Sequence, residues 1–117
     1  MATPDLPERL RAHIAKLEGR PPLETVEEFM FGHVADADSL DEIRTRLEQI
    51  ARRSTSMHRR TLRALEAVIT TELPPNTLAR LVVWDGNWSL DDPSDAGAAD
   101  FLRGLAQMLR EVIEQAD

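Results

Sequence analysis

Cysteine and tyrosine are absent from this sequence of 117 residues, and only three Phe and two Trp residues are aromatic. The absence of cysteine excludes disulfides, thiolate nucleophiles and cysteine metal ligands, and it is typical of a reducing compartment, so we expect a cytoplasmic protein. With so few aromatic residues, the interior must be filled by Leu, Ile, Val, Ala and Met. A chain of this length supports one core, so we expect a single helical domain over residues 1–117.

Long hydrophobic runs are also missing. The longest strongly apolar run is residues 81–84, and the start MATPDLPERL contains neither the basic nor the apolar region of a signal peptide. We therefore expect no signal peptide, no membrane span and no membrane partner.

Positive charge is scarce and unevenly distributed. The chain carries 21 acids and 14 bases, for a net charge of −7. Residues 21–50 and 84–117 each have eight acids and two bases, whereas residues 51–83 have two acids and six bases. A negative field disfavours nucleic acid and favours basic partners, although the acids also serve the simpler purpose of keeping a small protein in solution.

Five segments have helical hydrophobic patterns, most with recognisable boundaries. The first begins near Asp5 and is ended by residues 19–22, and the second and third begin with capping boxes at residues 25–28 and 39–42. The fourth follows the polar residues 52–56 and is ended by Pro74 and Pro75.

The last helical pattern is the clearest. We expect a helix from about Pro93 to about Gln115, capped by Asp92 or alternatively by Ser94, with an apolar stripe of Phe101, Leu102, Leu105, Met108, Leu109, Val112 and Ile113. Residues 77–84 fit either a short helix or an extended segment, because no alternating run exists to pair with them as a strand. The sequence therefore predicts an all-α, single-domain bundle of four to five helices with a long C-terminal helix.

Patterns that supply catalysis or phosphate binding are missing from the sequence. It contains no HExxH, GxSxG, SxxK, GxGxxG or GxxxxGK[ST] motif. His13, His33 and His58 have no partner set with metal-ligand spacing, since Asp36 three residues after His33 supplies only a second ligand. We expect no cofactor and no enzymatic activity; a small metal-dependent or hydrolytic enzyme is the third hypothesis.

The stretch WDGNWSLDD places oxygen-bearing side chains at alternate positions, as a calcium loop does: Asp85, Asn87, Ser89 and Asp91. The sixth position of such a loop needs glycine and the twelfth needs a bidentate glutamate, but these positions hold Leu90 and Ala96. We therefore predict no metal site in this stretch.

Residues 50–62 loosely resemble the junction of a helix-turn-helix, although the turn glycine is missing and Thr61 occupies an expected apolar position. The candidate phosphate contacts are five arginines: Arg52, Arg53, Arg59, Arg60 and Arg63. A DNA-associated regulator is thus our second hypothesis, and the two acidic blocks oppose it, because they repel the same polymer.

The favoured hypothesis is a non-enzymatic acidic protein-binding module, acting as an inhibitor, an immunity component or an adaptor on a basic partner. Tryptophan rimmed by acids is a composition of interface hot spots, although a large aromatic residue is also a common core residue. The candidate partner-binding residues are Trp84, Asp85, Asn87, Trp88, Asp91 and Asp92. Self-association is left open.

Overall fold

A computed structural model describes residues 21–117 of the chain. These residues form five α-helices and two π-helical turns, in the order α1 Pro22–Phe29, π1 Met30–Val34, α2 Leu40–Ala51, α3 Ser56–Thr70, α4 Thr77–Arg80, π2 Leu81–Asp85 and α5 Asp95–Ala116. No strand occurs among them. The predicted all-α bundle with a long C-terminal helix is confirmed, whereas the helix predicted to begin near Asp5 lies outside the described residues.

Helix α5 is the central packing element, and it contacts α2, α3 and α4. Its predicted stripe is buried, with Phe101 alone only partly so. Leu102, Leu105 and Leu109 are at most 1% exposed. Burying each such side chain contributes about 1.5–3 kcal/mol, so this stripe accounts for much of the hydrophobic stabilisation of the bundle.

The start of α5 differs from the prediction by two residues. Ser94, and not Asp92, is the N-cap, and its hydroxyl accepts a hydrogen bond from the Gly97 amide at 3.4 Å. Asp92 instead stabilises the turn before the helix, because its carboxylate accepts a hydrogen bond from the backbone amide of Ser94 at 3.1 Å. The hydrogen bonds with Ser94 lower the pKa of Asp92. The alternative cap was therefore the correct one.

The capping box predicted at residues 25–28 is wrong. Helix α1 begins at Pro22, after Pro21, because proline fits the first helical turn, where its missing N–H is not needed. The capping box at residues 39–42 is confirmed. There the Glu42 amide donates to Ser39 Oγ at 3.1 Å, and Glu42 Oε2 accepts from the Asp38 amide at 2.8 Å.

The segment that follows α3 resolves the ambiguity over residues 77–84. Helix α3 ends at Thr70, earlier than the predicted proline stop, since Thr71 is already extended. Asn76 then adopts a left-handed conformation, with φ 72°, and the chain turns into α4 and π2. Helical structure satisfies the backbone of residues 77–85 internally, which a lone strand does not.

The two π-helices pack against each other. Gly86, at the end of π2, permits this contact: a Cβ atom there would lie 2.6 Å from Met30 Cε and 2.8 Å from the Val82 carbonyl oxygen. Met30, Val34, Leu81 and Val82 are all buried at this junction. π-Helical turns are uncommon and are often found at functional sites.

Candidate functional site

Trp84 is the most exposed large hydrophobic side chain of the described residues, at 78%. It lies on π2, where Leu81 and Val82 are buried and fix the turn to the core. An exposed tryptophan on a fixed backbone is an unusual feature, because its ring forgoes the large gain that burial would bring.

A groove with a volume of about 720 Å³ opens beside Trp84. Its walls are formed by four parts of the chain: α1, the turn before α4, the segment of α4 and π2, and the connection before α5. The lining residues are Leu23, Pro74, Pro75, Asn76, Thr77, Ala79, Arg80, Val83, Trp84 and Pro93. The volume lies within the range of small-molecule and peptide side-chain pockets.

Asp95 fastens one wall of this groove. Its two carboxylate oxygens accept hydrogen bonds from the Asn76 amide at 2.7 Å and from the Ala79 amide at 3.0 Å. The Thr77 hydroxyl adds a bond to the Pro74 carbonyl at 2.7 Å. The sequence alone does not indicate this role for Asp95, because nothing in it brings residues 76–79 close to the start of α5.

Trp88 has a different environment from Trp84. It is partly buried against the core, and its ring lies 5.3 Å from the Phe101 ring at an interplanar angle of 36°. Asn87, which precedes it, is exposed and has a φ of 48°. The two tryptophans thus do not form one exposed pair, and Trp84 alone borders the groove.

The acids of the candidate site lie at its edge. Asp85 follows Trp84 and is partly buried, whereas Asp91 and Asp92 are exposed and directly precede the groove residue Pro93. Among the described residues that line the groove, Arg80 is the one charged side chain. The groove is therefore lined mainly by apolar residues and by a single cation, and the acidic residues of the candidate site lie next to it in the chain.

We expect the two tryptophans to respond differently to a soluble fluorescence quencher. In a Trp88→Phe variant the emission of Trp84 should be red-shifted and strongly quenched by acrylamide, because its ring is largely in water. In a Trp84→Phe variant the emission of Trp88 should be blue-shifted and more weakly quenched. Equal quenching constants for the two variants would contradict this arrangement.

The five candidate arginines do not line one common depression. Arg59 donates to the Asp117 carboxylate at 2.6 Å and to Thr55 Oγ1 at 3.1 Å. Arg53 and Arg60 line one depression, whereas Arg63 lines another together with Arg110 and Glu114. Arg52 is exposed on the α2–α3 connection. The predicted phosphate contacts are thus not gathered at one place, and one of the five arginines, Arg59, is already neutralised by a carboxylate.

Two histidines lie near each other between α2, π1 and α3. His58 is fully buried, and its Nε2 lies 2.8 Å from the Leu47 carbonyl. Since a carbonyl only accepts, Nε2 carries a proton. Nδ1 is the one buried side-chain nitrogen or oxygen of residues 21–117 without a hydrogen-bond partner. The described residues contain no cluster of His, Asp and Glu that fits a metal ion.

The pKa of His33 is lowered by burial, by the nearby His58 and by the positive charge of Arg46. The unfolded chain, with an ordinary pKa of about 6.5, therefore binds a proton more readily at this residue than the folded protein does. Stability is greatest above that value and decreases as the pH falls through it towards the lower folded pKa. We expect urea midpoints to decrease between about pH 7.5 and pH 5.5, and to decrease less in a His33→Gln variant. Identical decreases in both proteins would contradict the assignment to His33.

Comparison with known proteins supplies no family. No protein-family model, curated protein or solved structure matches this chain significantly. Within residues 21–117, no helix combines the length and the apolar character that crossing a bilayer requires. The function is therefore argued from the site itself.

Proposed function

We propose that this protein is a non-enzymatic binding module that uses Trp84 and the adjacent groove to hold a partner protein with a basic surface. The observation that carries the proposal is the 78% exposure of Trp84 beside an apolar groove of about 720 Å³. Tryptophan is among the residues that most often dominate the energy of protein interfaces, and it does so next to a well-formed pocket.

The rigid backbone around Trp84 also favours binding. Leu81 and Val82 are buried and hold π2 against the core, and Asp95 holds the turn before α4, which also lines the groove. A partner therefore meets a surface that is already ordered, and the entropic cost of association is smaller than for a mobile loop.

The distribution of charge around the groove indicates what kind of partner segment would bind there. Asp91 and Asp92 are exposed at the rim, and the whole chain has a net charge of −7. The cation Arg80 inside the groove disfavours a lysine or an arginine at that point. We expect a partner segment that is apolar where it enters the groove and basic where it crosses the rim, as in an inhibitor, an immunity protein or an adaptor of a basic target.

The proposal is tested with three immobilised proteins: the wild type, Trp84→Ala and Phe31→Ala. Phe31 is a matched control, because it is 75% exposed, lies on the other π-helix and does not line the groove. A protein retained from lysate of the source cells by the wild type and by Phe31→Ala, but not by Trp84→Ala, is the expected partner. It must then be purified and titrated, and equal retention by all three proteins would contradict the proposal.

A further inference from the structure

Arginines without an ion pair are concentrated in one part of this acidic protein. Five of the arginines in residues 21–117 pair with carboxylates: Arg44, Arg46, Arg59, Arg103 and Arg110. Among the same residues no carboxylate forms an ion pair with the other five arginines: four lie within residues 52–63, namely Arg52, Arg53, Arg60 and Arg63, and the fifth is Arg80 in the groove. With many more acids than bases in the chain, such cations are expected to attract carboxylates, so their lack of partners within residues 21–117 is informative.

Two of these arginines meet in one depression of about 500 Å³ between the end of α2 and the start of α3. Its described lining consists of Gln49, Ile50, Arg53, Ser54, Ser56, Met57 and Arg60, and it contains no carboxylate. Its lining residues thus carry two guanidinium groups, two hydroxyl groups and a side-chain amide, together with the apolar side chains of Ile50 and Met57.

The depression also lies at the N-terminal end of α3, which carries a partial positive charge. Thr55, the N-cap, forms no capping bond with its side chain, and the Ser56 amide is bound by Ser54 Oγ at 3.1 Å. The field of the helix thus adds to the charge of Arg53 and Arg60.

We propose that Arg53 and Arg60 form a binding site for a phosphate monoester on a small molecule with a short apolar body. A phosphate dianion matches two guanidinium groups, which bind its oxygens through paired N–H donors. The Ser56 hydroxyl supplies a further donor, because it accepts from Ser54 Oγ at 3.1 Å and keeps its own proton. Ile50 and Met57 contact the apolar part of the ligand. This site is separate from the groove at Trp84 and does not depend on the proposed function.

A nucleic acid backbone fits these residues less well. Arg59, on the same helix, is already paired with Asp117 and does not line the depression, so it adds no free cation for a longer polyanion. The net charge of −7 repels a long polyanion far more than a small dianion.

The test is an NMR titration of the full chain with phenyl phosphate, inorganic phosphate, benzyl alcohol and duplex DNA as separate probes. For phenyl phosphate we expect saturable shifts limited to the amides around residues 49–60, with a dissociation constant of about 1 mM or below. Inorganic phosphate should compete for the same site, and benzyl alcohol should bind at least about tenfold more weakly, because it lacks the charge.

Variants distinguish a site from a general attraction of anions. Arg53→Gln and Arg60→Gln should each weaken phenyl phosphate binding at least about tenfold, whereas Arg63→Gln should leave it nearly unchanged. Arg63 is the matched control, because it is exposed on α3 and unpaired among the described residues but lines the other depression. The proposal is overturned if Arg63→Gln has an equal effect, if no probe saturates, or if duplex DNA binds more tightly than phenyl phosphate. Unchanged melting temperatures establish that the variants are folded.

Discussion

Replacing Gly97 by alanine is expected to destabilise the protein by about 2–4 kcal/mol, while the same replacement at Gly104 stabilises it by about 0.5–1 kcal/mol. Both glycines lie in α5, so the helical propensity of alanine favours both replacements. The difference lies in their surroundings. A Cβ atom on Gly97 would overlap the Asp92 carbonyl oxygen and would lie 2.8 Å from Asp92 Cβ, whereas Gly104 has nothing within 4 Å.

The clash at Gly97 is with backbone, which has few ways to move. The chain turns from Asp92 into α5 through the Ser94 cap, so displacing Asp92 also disturbs the hydrogen bonds that start the helix. Chemical denaturation of the two variants and the wild type measures the effect. Stabilisation by both replacements would mean that residues 92–97 do not form the tight turn described above.

Replacing Asp95 by alanine is expected to cost about 2–3 kcal/mol, because two amides that are bonded to a carboxylate lose their partner. The Asn76 and Ala79 amides belong to the turn and the short helix that form a wall of the groove. The loss should therefore loosen this wall as well as lower the overall stability, and amide hydrogen exchange at residues 76–79 should become faster.

Asp91→Ala is the control for this effect. Asp91 is an exposed aspartate of the same connection, and no hydrogen bond or ion pair within residues 21–117 involves it. Its replacement should change the stability by less than about 0.5 kcal/mol. If the two variants had equal free energies of unfolding, the hydrogen bonds of Asp95 would not be what holds α4 in place.

Much of the fold was predictable, because local chemistry determined it. The period of Leu102, Leu105 and Leu109 identified the face of α5 that is buried, and the Ser39 capping box fixed the start of α2. The errors occurred where two local signals competed. Pro22 was compatible both with the end of one helix and with the start of the next. Asp92 and Ser94 were both acceptable N-caps by sequence, and only the structure shows that the Gly97 amide donates to Ser94 Oγ.

The candidate site was only partly predictable, because its geometry depends on contacts between distant segments. The sequence singled out Trp84 and Trp88 together, but the contact between Trp88 and the Phe101 ring separates their environments. The groove is lined by Leu23, Pro75 and Pro93, which are far apart in the chain and do not belong to any sequence motif. No periodicity in the sequence indicates that Asp95 caps a neighbouring helix.

The dissociation constant of the purified partner for the wild type and for Trp84→Ala is the most direct test of the binding function. We expect the replacement to weaken binding at least about thirtyfold, as for an interface hot spot, without lowering the melting temperature. Phe31→Ala should keep an affinity within about threefold of the wild type. Equal affinities for the wild type and Trp84→Ala would contradict the account, because the exposed tryptophan beside the groove would then have no part in binding.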